Sequence, residues 1–259
     1  MTDLFINDEC VLEDVRLILL DKDGTIIDIH HYWGSMLKER AQLIVNRWFS
    51  DSDVQIRIFN ELIDVMGIEI ESGRMKPEGP VGVKPRPFIV KVATEVVCKN
   101  GVTAEEEDIE KLFKEVDLQT ANDILPFLKV LPGVNAFIKE CHEQGLQLGV
   151  VTTDITERGR KALQALEMEN YFQYIIGGDQ VKNPKPASDS VDIILEQSGI
   201  ERDKTAVIGD HSVDILMGMN SGVVTNIGVL TGLGNRDTFN ELGCYIASSF
   251  NNVKIKIRS

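Results

Sequence analysis

Cysteine, positive charge and long apolar runs are all scarce in this chain. Its four cysteines (Cys10, Cys98, Cys141 and Cys244) are spread over 259 residues and form no Cys-x-x-Cys and no Cys/His cluster. A zinc ribbon or a disulfide framework is therefore excluded, and reduced, mostly packed thiols are expected. Twenty-seven Lys and Arg stand against 41 Asp and Glu, a formal net charge of −14. Such a chain does not grip a nucleic-acid backbone or an anionic membrane through bulk charge. A few local cations and a metal can still reverse the field inside one cleft, so an anionic substrate stays open. No apolar run approaches the roughly 18 residues of a membrane span. Met1 to Asp14 carries Asp3, Asp8, Glu9, Glu13 and Asp14 where a signal peptide would be basic and then apolar. The expectation is a cytoplasmic protein, monomer or homodimer, with no nucleic-acid and no membrane partner.

What is present is an ordinary globular composition, 43% hydrophobic and 26% charged, which excludes disorder. At about 150 residues per domain, the length suits one domain with a sizeable insertion. Val15 to Leu20 is a short apolar run that stops at a Gly-containing polar turn, the pattern of a buried parallel strand. Leu146 to Val151, Ala206 to Ile208 and Val223 to Ile227 repeat it. Helical stretches lie between them: Leu131 to Gly145, Asp154 to Leu166, and one from Pro186 to Gly199. Alternating strands and helices predict an α/β fold with a doubly wound parallel sheet, whose functional groups gather at the carboxyl ends of the strands.

Residues 29–127 read as an all-helical insert. Leu37, Ala41, Ile44, Val45 and Trp48 keep helical spacing, as do Val54, Ile58, Leu62 and Val65. Thr103 to Glu106 has the pattern of a capping box, and the acids Glu105 to Asp108 suit a helix start and a solvent face. Between the helices, Gly73 to Pro87 holds four prolines and three glycines and is expected to be non-helical throughout.

Four pieces of sequence carry chemistry. Asp21-Lys22-Asp23-Gly24-Thr25 sets two carboxylates two residues apart at a strand end, where i and i+2 face the same way. One can act as nucleophile while the other exchanges a proton with the leaving group. Alone, this is also a common Asp-rich turn. Thr152 ends the next strand and, alone, reads better as a cap for the helix after it. Lys185 precedes a helix and, alone, is a solvated charge. Asp210 and Asp214 follow a third strand, where a cap and a first-turn acid are usual. Taken together at neighbouring strand ends, the clustered carboxylates call for a hard cation such as Mg²⁺. A phosphoryl group would then meet that cation, Lys185 and Thr152.

These four motifs, in this order, resemble the haloacid dehalogenase-like superfamily of phosphohydrolases. Asp21 to Thr25 matches its first motif, Thr152 the second, Lys185-Pro186 the third, and Gly209-Asp210 with Asp214 the fourth. The resemblance implies a catalytic core over 1–28 and 128–259 and a helical cap over 29–127. It implies that Asp21 is the nucleophile, forming an aspartyl-phosphate, and that Asp23 is the general acid and then base. It implies Mg²⁺ held by Asp21, the Asp23 backbone carbonyl and Asp210, with Asp214 supporting the site. Thr152 and Lys185 would bind the phosphoryl group, beside Gly24, Thr25 and Thr153. The family's cation pumps share a lysine at the position of Lys22 but lack an acid at that of Asp23, and the dehalogenases lack the paired acid. A phosphonate-cleaving activity would need a cap lysine, and nothing supports Lys38 in that role.

Specificity should reside in the insert. His30, directly after the first motif, and Arg74 and Arg86, in the Pro/Gly loop with Lys76 and Lys84, are the candidate substrate-binding residues. The reading is a Mg²⁺-dependent phosphatase for a small phosphorylated metabolite, of the sugar phosphate or phosphoglycolate type. The alternatives are a sugar phosphomutase and a non-catalytic binding protein.

Overall fold

The computed structural model of the chain describes residues 1–81 and 84–258; Gly82 and Val83 of the Pro/Gly loop, and Ser259, lie outside the described residues. The chain forms two compact units, Met1–Asp28 with Leu128–Ser259, and Ile29–Phe127.

The first unit is built on a six-stranded parallel sheet. Its strands are β3 (Leu17–Leu20), β4 (Gln147–Val151), β5 (Tyr174–Ile176), β6 (Thr205–Gly209), β7 (Thr225–Val229) and β8 (Tyr245–Ala247). They lie in the order β5-β4-β3-β6-β7-β8. Leu17 to Leu20 are all fully buried, as an apolar strand covered on both faces should be. β3 pairs with β4 and β6, with Leu20 opposite Val150 on one side and Ile208 on the other. From β3 the chain winds outward through β4 and β5, then crosses back to β6 and winds the other way. The carboxyl ends of β3 and β6 therefore flank the switch point, where doubly wound sheets form a crevice.

The expected strand Val223 to Ile227 is corrected to Thr225–Val229. Val224 is 71% exposed and belongs to the approach, so the carboxyl end of β7 falls two residues later, before Thr231 and Gly232. Helices α5 (Val134–Glu143), α6 (Thr156–Ala165), α7 (Asp189–Ser198), α8 (Ser212–Asn220) and α9 (Arg236–Leu242) complete the unit. α7 starts at Asp189, not at Pro186, and ends on Gly199 at φ 66°, a left-handed cap that favours glycine. Unforeseen was a second sheet, antiparallel, with β1 (Thr2–Ile6) between β2 (Glu9–Leu12) and β9 (Val253–Ile257).

The second unit contains α1 (Ile29–Trp48), α2 (Ser52–Met66), α3 (Arg86–Lys99) and α4 (Glu106–Asn122). Two expectations shift. α4 is capped by a reciprocal pair of Glu105 and Asp108, not from Thr103. α3 begins inside the Pro/Gly stretch, at Arg86, with Pro87 in its first turn, where a missing N–H costs nothing. Arg40, 3% exposed, and Arg86 share Asp117, and both guanidiniums lie over the Phe113 ring. This packs α1, α3 and α4 around charges that are paired. No helix among the described residues is long and apolar enough to cross a membrane.

Candidate active site

β3 delivers Asp21 to the switch point: its N–H still bonds Ile208 O at 2.9 Å, extending the ladder by one rung. The chain then folds back, with the Ile26 and Ile27 N–H groups both bonding Lys22 O at 2.9 Å. Gly24 takes φ +93° in this turn, and a Cβ there would also overlap the Asp210 carboxylate. Glycine is demanded by backbone conformation and by close approach.

On the neighbouring strand, β6 ends at Gly209 and presents Asp210, 2% exposed. One ligand atom from each of Asp21, Asp210 and Asp214 lies within 4.8 Å of the others. Lys185, from the segment before α7, inserts its ammonium among them, 2.6 Å from Asp21 Oδ1 and 2.7 Å from Asp214 Oδ1. Its segment is tied down by Asn220 Nδ2, which donates to Pro186 O at 2.9 Å. The second oxygen of Asp214 accepts from the His211 N–H at 3.0 Å, so both of its oxygens are engaged by protein donors.

The electrostatics follow from three acids and one lysine out of water. Burial, with Asp214 and Asp23 nearby, pushes Asp21 up to about 7, although Lys185 pulls the other way. Burial, with Asp21 and Asp214 beside it, also raises Asp210 well above the usual carboxylate range. Burial alone would lower Lys185, but Asp21 and Asp214 outweigh it and hold the ammonium above its ordinary value. The carboxylates outnumber the cation by three to one, and a hard divalent ion with oxygen ligands fits that donor set.

Asp23 is turned to another partner. The fully buried Lys22 places Nζ 2.9 Å from Asp23 Oδ2 and 3.3 Å from Asp154 Oδ2. Thr152, 3% exposed, directly follows β4, and its Oγ1 accepts the Asp154 N–H at 3.1 Å, which leaves its proton to donate. Thr153 beside it is exposed.

The structure thus brings Asp21, Gly24, Lys185, Asp210 and Asp214 together. Two other sequence candidates have surroundings of a different kind. Thr25 is fully buried and its Oγ1 has no hydrogen-bond partner among the described residues, so its side chain packs under the turn. Arg86 is held by Glu110 at 3.0 Å and by Asp117, which neutralises its charge inside the helical unit. His30 and Arg74 are adjacent there, with Arg74 Nη2 2.6 Å from His30 Nε2 and the Met75 N–H donating to His30 Nδ1 at 3.1 Å.

A fifth segment escaped the sequence reading. Thr231 to Gly234, after β7, wraps Asp210. Leu233 N–H donates to its Oδ2 at 2.8 Å, Gly234 N–H to its backbone O at 2.7 Å, and Thr231 Oγ1 to Gly24 O at 2.6 Å. The signal was a Thr-Gly-Leu-Gly run at the carboxyl end of a parallel strand.

Comparison with known proteins agrees with this architecture. The chain is 37% identical over 95 residues to the pyrophosphatase PpaX of Halalkalibacterium halodurans, covering 37% of this chain and 44% of that one. It is 31% identical over 99 residues to a phosphoglycolate phosphatase of Aquifex aeolicus, covering 38% and 46%. The chain spans about half the length of the curated relatives it matches. Among solved structures, a predicted phosphoglycolate phosphatase of Haemophilus somnus 129PT superposes with a TM-score of 0.68 at 16% identity, over 92% of this chain and 96% of that one. CbbY of Rhodobacter sphaeroides in complex with phosphate gives 0.57 at 18% identity, over 91% and 95%. The profile of the haloacid dehalogenase-like hydrolases matches residues 18–228, most of the chain and all four motifs. The chain belongs to the haloacid dehalogenase-like hydrolase family.

Proposed function

We propose that the protein is a Mg²⁺-dependent phosphatase that hydrolyses a small phosphomonoester through an aspartyl-phosphate on Asp21. The observation that carries this reading is the Lys185 ammonium between Asp21 and Asp214, with Asp210 completing a carboxylate cluster at the switch point. Lys185 offsets the repulsion between Asp21 and an incoming dianion. The Asp21 carboxylate attacks phosphorus, the bond from phosphorus to the leaving oxygen breaks, and that oxygen takes the proton of Asp23. Asp23, now ionised, accepts a proton from water as the water oxygen attacks the aspartyl-phosphate. The Asp21 carboxylate leaves, and inorganic phosphate departs with Asp23 protonated again. Thr152 and Lys185 bind the phosphoryl oxygens, and Thr153 lies beside them.

Asp21, the Asp23 backbone carbonyl and Asp210 would hold the metal. Asp214, with both oxygens already engaged, keeps Lys185 in place as a support. When bound, Mg²⁺ supplies positive charge to the phosphoryl oxygens.

The unit Met1–Asp28 with Leu128–Ser259 is the catalytic core in this reading, and Ile29–Phe127 the cap that selects substrate. His30 and Arg74 favour a substrate with a second anionic group. Arg74 directs one guanidinium N–H group at His30, and a guanidinium offers further donors in a fixed fork. A carboxylate or second phosphate is the partner such a fork suits. Phosphoglycolate and bisphosphates are of this class. An acidic chain with dispersed cysteines suits a cytoplasmic setting.

The test is phosphate release from sugar phosphates, phosphoglycolate and pyrophosphate, with Mg²⁺ or EDTA, for wild type and Asp21→Asn. Release that requires Mg²⁺ and vanishes in Asp21→Asn is expected, with Arg74→Gln raising KM for doubly anionic substrates. Release unaffected by Asp21→Asn overturns the nucleophile. Isomer interconversion with little free phosphate replaces the phosphatase with a mutase.

A further inference from the structure

Lys22 lies between the two acids of the first motif, yet it is fully buried and faces away from the Lys185 cluster toward a different loop. Its ammonium bridges Asp23 Oδ2 at 2.9 Å and Asp154 Oδ2 at 3.3 Å. Asp154 is itself fixed: its Oδ1 accepts from Arg158 Nη1 at 2.9 Å and from the Ile155 N–H at 2.8 Å, and its own N–H bonds Thr152 Oγ1. A chain of charges, Arg158–Asp154–Lys22–Asp23, therefore links the turn after β3 to the loop after β4 and the first turn of α6. The Asp154 side chain is 5% exposed and that of Asp23 12%, so the chain runs through the interior.

Burying a lysine is costly, and a well-packed apolar side chain would usually serve stability as well or better. The place of this lysine indicates what it does instead. Asp23 follows Asp21 by two residues, and repulsion between the two carboxylates would swing a mobile Asp23 out of the cleft. Lys22 counters that repulsion and pins the carboxylate to a rigid point, since Asp154 is anchored by backbone and guanidinium donors. A proton-transfer group must be held at hydrogen-bond reach of the leaving oxygen, and small misplacements there are costly in rate.

We propose that Lys22, anchored by Asp154, is a positioning residue that fixes the orientation of the Asp23 carboxylate for proton transfer to the leaving group. This rests on Asp23 being the general acid of the proposed reaction, so Asp23→Asn is measured alongside. The probe is the leaving group. p-Nitrophenyl phosphate releases an oxyanion that needs no proton, whereas the alkoxide of glycerol phosphate or phosphoglycolate does. In Lys22→Met, kcat/KM for the alkyl phosphate is expected to fall about 10- to 100-fold further than for p-nitrophenyl phosphate, less than the roughly 10²- to 10⁴-fold of a whole general-acid contribution because Asp23 itself remains. Mg²⁺ affinity should be unchanged. Equal losses on both substrates would make Lys22 merely structural and overturn the proposal. If Asp23→Asn shows no leaving-group selectivity, the assignment of Asp23 fails first and the role of Lys22 falls with it. Should Lys22→Met not fold, Asp154→Asn keeps Lys22 but loosens its anchor. The same selectivity at smaller size is then expected, and its absence overturns the proposal.

Discussion

Lys185 places its ammonium 2.6 Å from Oδ1 of Asp21, across 164 residues of sequence. The contact joins the segment before α7 to the turn after β3, and Asp214 holds the lysine from its other side.

Lys185→Met should therefore separate binding of the cation from turnover. Loss of a positive group that faces the phosphoryl charge is expected to lower kcat by about 10²- to 10³-fold. Mg²⁺ affinity should be retained or increased, because the acids lose a competing cation. Steady-state kinetics and calorimetric titration with Mg²⁺ check the two halves. Lost Mg²⁺ binding with kcat preserved at saturating metal would contradict this arrangement.

Asp210 offers a second handle, through residues that carry no charge. A Cβ on Gly232 would overlap its carboxylate, and the neighbouring Leu233 N–H donates to Oδ2. Gly232→Ala must displace either the loop or the acid. The expected cost is about 1–3 kcal/mol of stability, as for other overpacked sites, with Mg²⁺ binding weakened about tenfold. Lys185 and Asp21 are untouched by the change. An unaltered Mg²⁺ titration would mean that the loop yields and that Asp210 is positioned by β6 alone.

The sequence reveals the parts of this molecule unequally. Asp21, Lys185 and Asp210 were legible because each follows a buried run or precedes a helix in a fixed order, and backbone topology does the rest. Lys22 was visible only as a motif position; its pairing with Asp154 depends on the fold bringing the ends of β3 and β4 together. β5 and β8, three residues each, are too short for periodicity to register. The antiparallel sheet joins Thr2 to Ile257, a pairing no local pattern encodes. Its one legible sign was the alternation Val253-Lys254-Ile255-Lys256-Ile257. Arg86 reads in the sequence as a cation in a proline-rich stretch, and only the fold shows Glu110 and Asp117 reaching it from α4.

The helical unit provides a prediction independent of catalysis. Asp117 is partly buried; burial alone would raise its pKa, but hydrogen bonds and charge from Arg86 and Arg40 hold it below the ordinary 3.8. A lowered carboxylate pKa means that the unfolded chain binds the proton more readily, so stability rises with pH through this window. The contribution of ionised Asp117 is complete above about pH 4 and is lost as pH falls through the lowered value. Asp117→Asn removes the carboxylate that Arg40, 3% exposed, shares with Arg86. At pH 7 the variant should lose on the order of 1–2 kcal/mol, below the range for a fully buried pair. As the pH is lowered beneath 4, the Tm values of variant and wild type should converge, because protonation removes the same charge from the native protein. A Tm difference that stays constant from pH 7 down to the acid transition would show that Asp117 acts through packing, and that its charge contributes nothing to holding α1, α3 and α4 together.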